Sequence, residues 1–93
     1  MQFEWDVNKN SLNLKKHKIS FEEAKTIFYN ELTMVANDPD HSNQEDRFIA
    51  IGYSSLGKLL LVVHCYRDKD RIIRIISARK ANNSERKQFE EGL

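Results

Sequence analysis

Two arginines stand where predicted strands end, which is where side chains project towards loops and helix starts. Arg67 follows one apolar segment, and Arg79 with Lys80 follows another. A guanidinium group can donate two charge-assisted hydrogen bonds to phosphate oxygens, and it stays charged at physiological pH. We therefore expect Arg67 and Arg79 to contact phosphate. Taken as isolated residues, arginines at such positions are more often solvated or ion-paired on the surface.

A polar face is predicted on the first helix, because four of its side chains recur three or four residues apart. They are Lys9, Asn13, Lys16 and His17. This face is suited to binding RNA, and an imidazole can give or take a proton at the pH of the cell. His17 also fits a purely structural position, since a histidine near the C-terminal end of a helix interacts favourably with the helix dipole.

A metal site is the weaker interpretation of the polar loop around Pro39. Asp38, His41 and Glu45 combine carboxylates and imidazole at short spacing, as ligands of divalent ions do. The sequence has no HExxH motif, paired CxxC motif or Gly-rich phosphate loop, so we predict neither a metal nor another cofactor. Cys65 lies in an apolar run and is expected to be a small buried hydrophobe.

Capping signals locate the helices that must position these residues. Each predicted helix is preceded by a side chain that can accept hydrogen bonds from the first backbone N–H groups. In the second and third helices a Glu three residues later completes a capping box. The N-caps are Asp6, Ser20 and Asn82, and the helices are predicted over 7–17, 21 to about 30 and 83 to about 91.

The β-branched, aromatic and leucine residues concentrate in segments separated by short polar connections, which favour hairpins. A very short strand is predicted at 3–5, and longer strands at 32–36, 48–53, 59–66 and 72–78. We therefore predict one α+β domain over residues 1–93. It contains an antiparallel sheet of about four strands, two N-terminal helices and one C-terminal helix.

The last predicted strand is apolar on both faces. Alternation places Ile73, Ile75 and Arg79 on one face, with Arg74 and Ala78 on the other. An antiparallel sheet that helices cover on one side normally has a polar outer face. The second face is therefore expected to be covered, either by a partner protein or by the C-terminal helix.

Charge is unevenly distributed along the 93 residues, although the net charge is only +1. Lys and Arg outnumber Asp and Glu nine to five from Lys58 to Leu93, whereas acidic residues predominate before that segment. A basic C-terminal part is consistent with binding to RNA or to another acidic partner. We find no signal sequence or membrane-spanning segment, so we expect a cytoplasmic protein without membrane contact.

An ordered set of short motifs runs across nearly the whole chain. The set comprises FEWD at 3–6, KH at 16–17, SFEEA at 20–24, ExR at 45–47, VV at 62–63, RIISARKA at 74–81 and ER at 85–86, with Lys9, Asn13, Asp38, Gly52 and Arg67 between them. Together these motifs resemble the BrnT family of toxins, and RIISARKA is the most specific of them. The family commonly has glycine after KH, which permits a left-handed helix end, whereas this chain has Lys18.

The resemblance implies a fold related to the RelE-type toxins, cleavage of RNA without a metal, and inhibition by an antitoxin of the BrnA type. It implies contact with DNA only through the toxin–antitoxin complex. In metal-free cleavage the neighbouring 2′-hydroxyl attacks the phosphate. The protein must then remove the proton of that hydroxyl, stabilise the crowded phosphate and protonate the departing 5′-oxygen.

We assign phosphate stabilisation to Arg67 and Arg79, and proton transfer to His17 with Glu45 as the alternative base. Glu45 equally fits a structural ion pair with Arg47. The remaining basic and polar candidates are expected to bind RNA, and they are Lys9, Asn13, Lys16, Arg47 and Lys80.

Two other functions stay open at this point. The same basic groups would serve a non-catalytic module that binds RNA or a protein, with Tyr53 and Tyr66 as stacking platforms for bases. A Mg²⁺-dependent nuclease would instead rely on Asp38, His41 and Glu45.

Overall fold

Three α-helices and five strands are formed by the residues that the computed structural model describes, 1–39 and 46–92. In chain order they are β1 (Gln2–Glu4), α1 (Val7–His17), α2 (Phe21–Lys25), β2 (Met34–Asn37), β3 (Phe48–Tyr53), β4 (Leu59–Arg67), β5 (Ile72–Lys80) and α3 (Asn83–Glu91), with a 3₁₀ turn at Thr26–Tyr29 after α2. The predicted α+β class and the predicted order of elements are confirmed.

The five strands of the described residues form one sheet in the order β1-β5-β4-β3-β2. Strands β2 to β5 pair antiparallel with their sequence neighbours, as the short polar connections predict. β1 adds a parallel fifth strand, in which Phe3 pairs with Ile73 and Glu4 with Arg74. A short strand was predicted at 3–5, but it was not assigned to the antiparallel sheet of about four strands, because three residues carry too little pattern to specify a pairing partner.

The hydrophobic core lies between the helical segment after α1 and one face of the sheet. Its side chains are Ile19, Phe21, Ala24 and Ile27 from the helical side, and Ala50, Leu60, Val62, Ile75 and Ala78 from the sheet. Full burial of one large apolar side chain stabilises a fold by about 1.5–3 kcal/mol. The core therefore holds α2 firmly against the middle of the sheet.

The start of α2 differs in one detail from the predicted capping box. The Ser20 hydroxyl accepts a hydrogen bond from the Glu23 backbone N–H at 3.0 Å, as predicted. The buried Glu23 carboxylate, however, accepts a hydrogen bond from the Ser54 hydroxyl at 2.7 Å and lies 3.7 Å from the Lys58 ammonium. Through these two contacts Glu23 connects α2 to the turn between β3 and β4.

A β-bulge changes which face of β5 each side chain occupies. Val63 pairs with Ser77 but His64 pairs with Ile75, so β5 contains one residue more than β4 at this point. Ala78 consequently joins Ile75 in the core, and Arg79 moves to the opposite face. The predicted alternation is therefore wrong beyond Ile75, because it assumed an unbroken period of two.

The second face of the sheet is partly covered by α3. Phe89 is buried, and its ring packs against Tyr53 at a centroid distance of 5.8 Å. Beside α3 an apolar groove of about 340 Å³ remains, lined by Met34, Val35, Ala36, Ile49, Ile51, Leu61, Glu85, Gln88 and Phe89. Within residues 1–39 and 46–92, no helix has the length and apolar composition needed to span a membrane.

Candidate active site

Arg79 is fixed by a two-point ion pair with Glu85. Its Nη1 and Nη2 atoms each donate a hydrogen bond to one carboxylate oxygen, both at 2.8 Å. These hydrogen bonds hold the pKa of the Glu85 carboxyl below its usual range, so the carboxylate stays ionised. The Arg79 side chain remains 40% exposed. Glu85 thus fixes one edge of the guanidinium, while a substantial part of the group faces solvent.

Glu85 has this position because it also belongs to the capping box of α3. Its backbone N–H donates to the Asn82 side chain at 2.8 Å, and its carboxylate accepts from the Asn82 backbone N–H at 2.9 Å. The predicted capping box is therefore confirmed. The same carboxylate starts α3 and orients Arg79, so the position of the arginine depends on how the helix begins.

The end of the sheet at which β5 finishes, called here the Arg79 end, carries further basic groups. Lys80 is exposed, and an Nη atom of Arg86 lies 3.5 Å from the Tyr53 hydroxyl. Arg86 also faces Glu90 at 3.8 Å. The surface at this end is rich in cationic donors.

The side chain of Asn13 hydrogen bonds to the backbone at the unpaired edge of β5. β1 pairs only as far as Arg74, so among the described residues β5 has no neighbouring strand on that side from Ile75 onwards. The Asn13 amide donates to the Ala78 carbonyl at 2.8 Å and accepts from the Ala78 N–H at 3.1 Å, as a strand neighbour would. It also donates to the Ile19 carbonyl at 2.8 Å. Asn13 is buried, which corrects the prediction that it shares an exposed polar face with Lys9.

The C-terminal end of α1 points towards the Arg79 end. α1 follows β1, which lies beside Arg74, and reaches Ala78 at Asn13, so it runs along β5 in the direction of the strand. Lys16 and His17 therefore lie near the end of β5. Lys16 is exposed and His17 is half-buried.

Lys18 ends α1 in the left-handed conformation, with φ 62° and ψ 23°, and its N–H donates to the Leu14 carbonyl. The backbone thus has the geometry that a glycine would favour at this position. The direction of the chain after His17 is fixed despite the lysine.

Arg67 lies at the opposite end of the sheet, called here the Arg67 end. Arg79 pairs with Leu61 and Arg67 with Ile72, so the arginines are six positions apart along β4. At about 3.3 Å per residue their backbones are separated by about 20 Å. The two arginines share a face of the sheet but not a cleft, and a single phosphate cannot contact both.

Arg47 also lies at the Arg67 end, directly before β3, where its carbonyl accepts a hydrogen bond from the N–H of the buried Asp38 at 2.9 Å. Lys9 is exposed on the first turn of α1. His41 and Glu45 lie outside the described residues. Within the part of the chain that is described, no three His, Cys, Asp or Glu side chains are grouped closely enough to hold a metal ion.

His64 and Tyr66 form a hydrogen-bonded pair between the core and the Arg67 end. The His64 Nε2 atom lies 3.3 Å from the Tyr66 hydroxyl, and Nδ1 lies 3.4 Å from the Val62 carbonyl oxygen. Burial lowers the pKa of His64, so its ring is neutral at cellular pH. Burial and the nearby Asp70 raise the pKa of Tyr66, so the phenol keeps its proton.

Comparison with known proteins decides the family. The family model described as "Ribonuclease toxin, BrnT, of type II toxin-antitoxin system" matches residues 5–85. The chain belongs to the BrnT family. A toxin of this type implies an antitoxin protein as its partner.

The crystal structure of the Brucella abortus ribonuclease toxin BrnT has the same fold. Its TM-score is 0.65 at 21% sequence identity, over 89% of this chain and 99% of that chain. The comparison with curated proteins gave no match. At this identity the structural likeness shows the fold alone, and the family match carries the functional assignment.

Sequence reasoning missed two relationships in this BrnT family member. Glu85 was recognised as a capping residue but not as the partner of Arg79, although their separation across a predicted strand end and helix start was a usable signal. The contact between His64 and Tyr66 was also missed, although the alternation of side chains along a strand permits it. His64 and Tyr66 are two residues apart on one strand, so their side chains point to the same face of the sheet.

Proposed function

We propose that the chain is a metal-independent endoribonuclease that cleaves RNA through attack of the 2′-hydroxyl on the adjacent phosphate. The observation that carries this proposal is the match to the BrnT ribonuclease toxins over residues 5–85. The geometry of the Arg79 end supports it, because that end combines an oriented guanidinium with basic side chains and an imidazole.

Arg79 is the group that we assign to the reacting phosphate. Glu85 fixes one edge of its guanidinium, and the exposed part is available to the phosphate oxygens. Such a preorganised donor stabilises the additional negative charge of the transition state without a rearrangement at the moment of reaction. Lys80 and Lys16 add positive charge at the same end of the sheet.

Proton transfer is assigned to His17. This assignment is supported by the direction of α1, which runs along β5 and ends at His17 towards the end of the sheet that carries Arg79. Histidine can act as base towards the 2′-hydroxyl and then as acid towards the leaving 5′-oxygen. Glu45 stays the alternative base.

The remaining basic candidates are assigned to parts of the RNA away from the reacting phosphate. Because Arg67 is about 20 Å from Arg79 along β4, it would contact a flanking nucleotide. Arg47 and Lys9 would add electrostatic attraction for the RNA backbone. Asn13 would contribute indirectly, by holding α1 and β5 in place beneath His17 and Arg79.

An antitoxin of the BrnA type is the proposed protein partner. The apolar groove beside α3 is suited to a partner helix or strand, since it is lined by Ile49, Ile51 and Leu61 and bordered by Glu85. A partner that fills this groove would lie next to the Arg79–Glu85 pair and would block RNA from Arg79. We propose that the toxin acts in the cytoplasm and meets DNA only through this complex.

The decisive experiment is cleavage of a defined RNA in excess EDTA, followed by analysis of the product ends. We expect cleavage to persist and to leave 2′,3′-cyclic or 3′-phosphate ends. His17→Ala should abolish it without loss of folding, and Asn8→Ala on the exposed start of α1 is the matched control. Cleavage that requires Mg²⁺ would contradict the mechanism, and RNA binding without cleavage would indicate a non-catalytic module.

A further inference from the structure

A cavity of about 580 Å³ lies at the Arg67 end, remote from the Arg79–Glu85 pair. Pairing between β3 and β4 stops at Phe48 and His64, so the cavity lies beside the last three residues of β4. The nuclease roles assigned above leave most of its side chains unused. It is lined by Asp46, Phe48, Cys65, Tyr66, Arg67 and Asp70.

Two aromatic rings form part of the cavity wall. Phe48 and Tyr66 are both half-buried, and their ring centroids are 5.2 Å apart at an interplanar angle of 66°. Partly exposed aromatic rings are the surfaces on which proteins stack unpaired bases of single-stranded RNA. The wall is therefore suited to a flat aromatic ligand.

The hydrogen bond from Tyr66 to His64 determines what the phenol presents to the cavity. The Val62 carbonyl can only accept, so the His64 proton resides on Nδ1 and the Nε2 atom accepts. The Tyr66 hydroxyl then donates to Nε2. Its oxygen keeps its lone pairs, so Tyr66 offers the cavity an acceptor.

The charges of the lining select among ligands. Among the described lining residues, Asp46 and Asp70 supply two carboxylates and Arg67 supplies one guanidinium, which disfavours a phosphate as the main occupant. Carboxylates bind ligands that donate, and an arginine binds ligands that accept. The occupant should therefore be flat and should have donors on one edge and acceptors on another.

We propose that this cavity binds a guanine base of the RNA substrate, an inference that rests on the ribonuclease function proposed above. Guanine carries the adjacent donors N1–H and N2–H₂, which match one carboxylate, and the acceptors O6 and N7, which match an arginine. Adenine has no second donor beside its N6 amino group, and uracil places carbonyl oxygens on both sides of N3–H. The subsite would therefore give cleavage a fixed guanine position relative to the cut.

The first test measures nucleotide binding without cleavage. The purified chain is titrated with 3′-GMP, 3′-IMP and 3′-AMP while backbone amide shifts are followed by NMR. We expect 3′-GMP to shift Tyr66, Arg67 and Asp70. We expect 3′-IMP, which lacks the 2-amino group, to bind about tenfold more weakly, in line with the discrimination that one matched base contact provides.

The second test removes the carboxylates one at a time. Because the two guanine donors pair with one carboxylate, one of the variants Asp46→Asn and Asp70→Asn should weaken 3′-GMP binding at least about fivefold. Asp68→Asn is the matched control, because it makes the same change in the turn of Asp70 but does not line the cavity. Asp68 and Asp70 both have positive φ, which asparagine tolerates, so both variants should fold.

Mapping the cuts in a defined RNA separates this proposal from the nuclease function. Cuts with guanine at one fixed position in the parent, and without that preference in the carboxylate variant that loses 3′-GMP binding, support both the subsite and the nuclease function. Cleavage without base preference, together with equal binding of 3′-GMP and 3′-AMP, overturns the guanine subsite and leaves the nuclease intact. Shifts at the cavity without cleavage of any RNA overturn the nuclease but not the subsite. Shifts caused by a basic antitoxin peptide and not by 3′-GMP identify a protein contact instead.

Discussion

The side-chain amide of Asn13 hydrogen bonds to both the N–H and the carbonyl of Ala78, which joins α1 to the free edge of β5. A third hydrogen bond reaches the Ile19 carbonyl, and all three are buried. One side chain thus fixes the start of the chain reversal after α1 and the strand residue directly before Arg79.

Asn13→Ala should therefore destabilise the fold strongly. Loss of the amide leaves buried backbone groups of Ala78 and Ile19 without partners, which costs about 2–4 kcal/mol in the free energy of unfolding. Urea denaturation at pH 7 measures this change in the free energy of unfolding. Ser11→Ala, exposed on the same helix, should change this free energy by less than about 0.5 kcal/mol. If the Asn13→Ala protein is fully stable but no longer binds RNA, the result would contradict the structural role and support the RNA-binding role predicted from the sequence.

The pairing of Arg79 with Glu85 predicts that substitutions of Arg79 lower RNA cleavage more than they lower stability. Arg79→Ala should lower RNA cleavage by about 10²–10³-fold, because the phosphate loses its oriented donor. Arg79→Lys keeps the charge but not the two-point geometry, so it should restore only a small part of the activity. Initial rates on a defined RNA give both values, and growth on induction reports toxicity.

Glu85→Gln isolates the orienting contact. Glutamine can keep the capping-box hydrogen bond to Asn82, so α3 should still begin normally. The partly exposed ion pair contributes less than about 1 kcal/mol to stability, and melting should change little. Cleavage should fall by about 10–100-fold, as expected when a reacting contact is displaced by about an ångström. Unchanged cleavage in this variant would show that Glu85 does not position Arg79.

Local signals predicted the elements well because they act over three or four residues. The capping residues Asp6, Ser20 and Asn82 gave the starts of all three helices in the described chain. The boundaries of β3 were also correct, since turn residues flank a short apolar run. Such features need no information about distant parts of the chain.

The candidate site was predicted less completely because it depends on pairings between strands. The bulge opposite Val63 moved Arg79 to the other face, and no residue in β5 marks a bulge in advance. The distance between Arg67 and Arg79 was accessible from the sequence, since one precedes the hairpin turn and the other lies eight residues after it. The burial of Asn13 was not accessible, because an asparagine that replaces a strand neighbour resembles any polar helix residue.

His64 predicts a loss of stability in mildly acidic solution. Burial lowers its pKa in the folded protein below the unfolded value of 6.5, so the unfolded chain binds the additional proton first. The free energy of unfolding should therefore decrease as pH falls below about 6.5, before most carboxylates titrate. His64→Phe preserves an aromatic ring beside Phe28 and Phe48 and should flatten the dependence between pH 7 and pH 5. Urea titrations at several pH values compare the two slopes, and equal slopes would refute a buried neutral histidine.

Lys18 predicts a stabilising substitution. Its φ of 62° places a residue with a Cβ atom in the left-handed region, which costs about 1–2 kcal/mol relative to the right-handed form. Glycine avoids that cost but loses more backbone entropy on folding, by about 0.5–1 kcal/mol, so Lys18→Gly should stabilise the fold by up to about 1 kcal/mol. For a domain of this size that corresponds to about 4–8 °C in melting temperature.

Lys18→Ala is the control, because it removes the same charge while keeping the Cβ atom and the strained φ. It should melt no higher than the parent chain, whereas Lys18→Gly should melt higher in the same thermal scan. Equal gains in the two variants would assign the effect to the loss of the positive charge and not to the backbone. The Asn13 contact with Ile19 follows directly after this position, so the glycine variant should also keep the direction of α1 and the activity that depends on it.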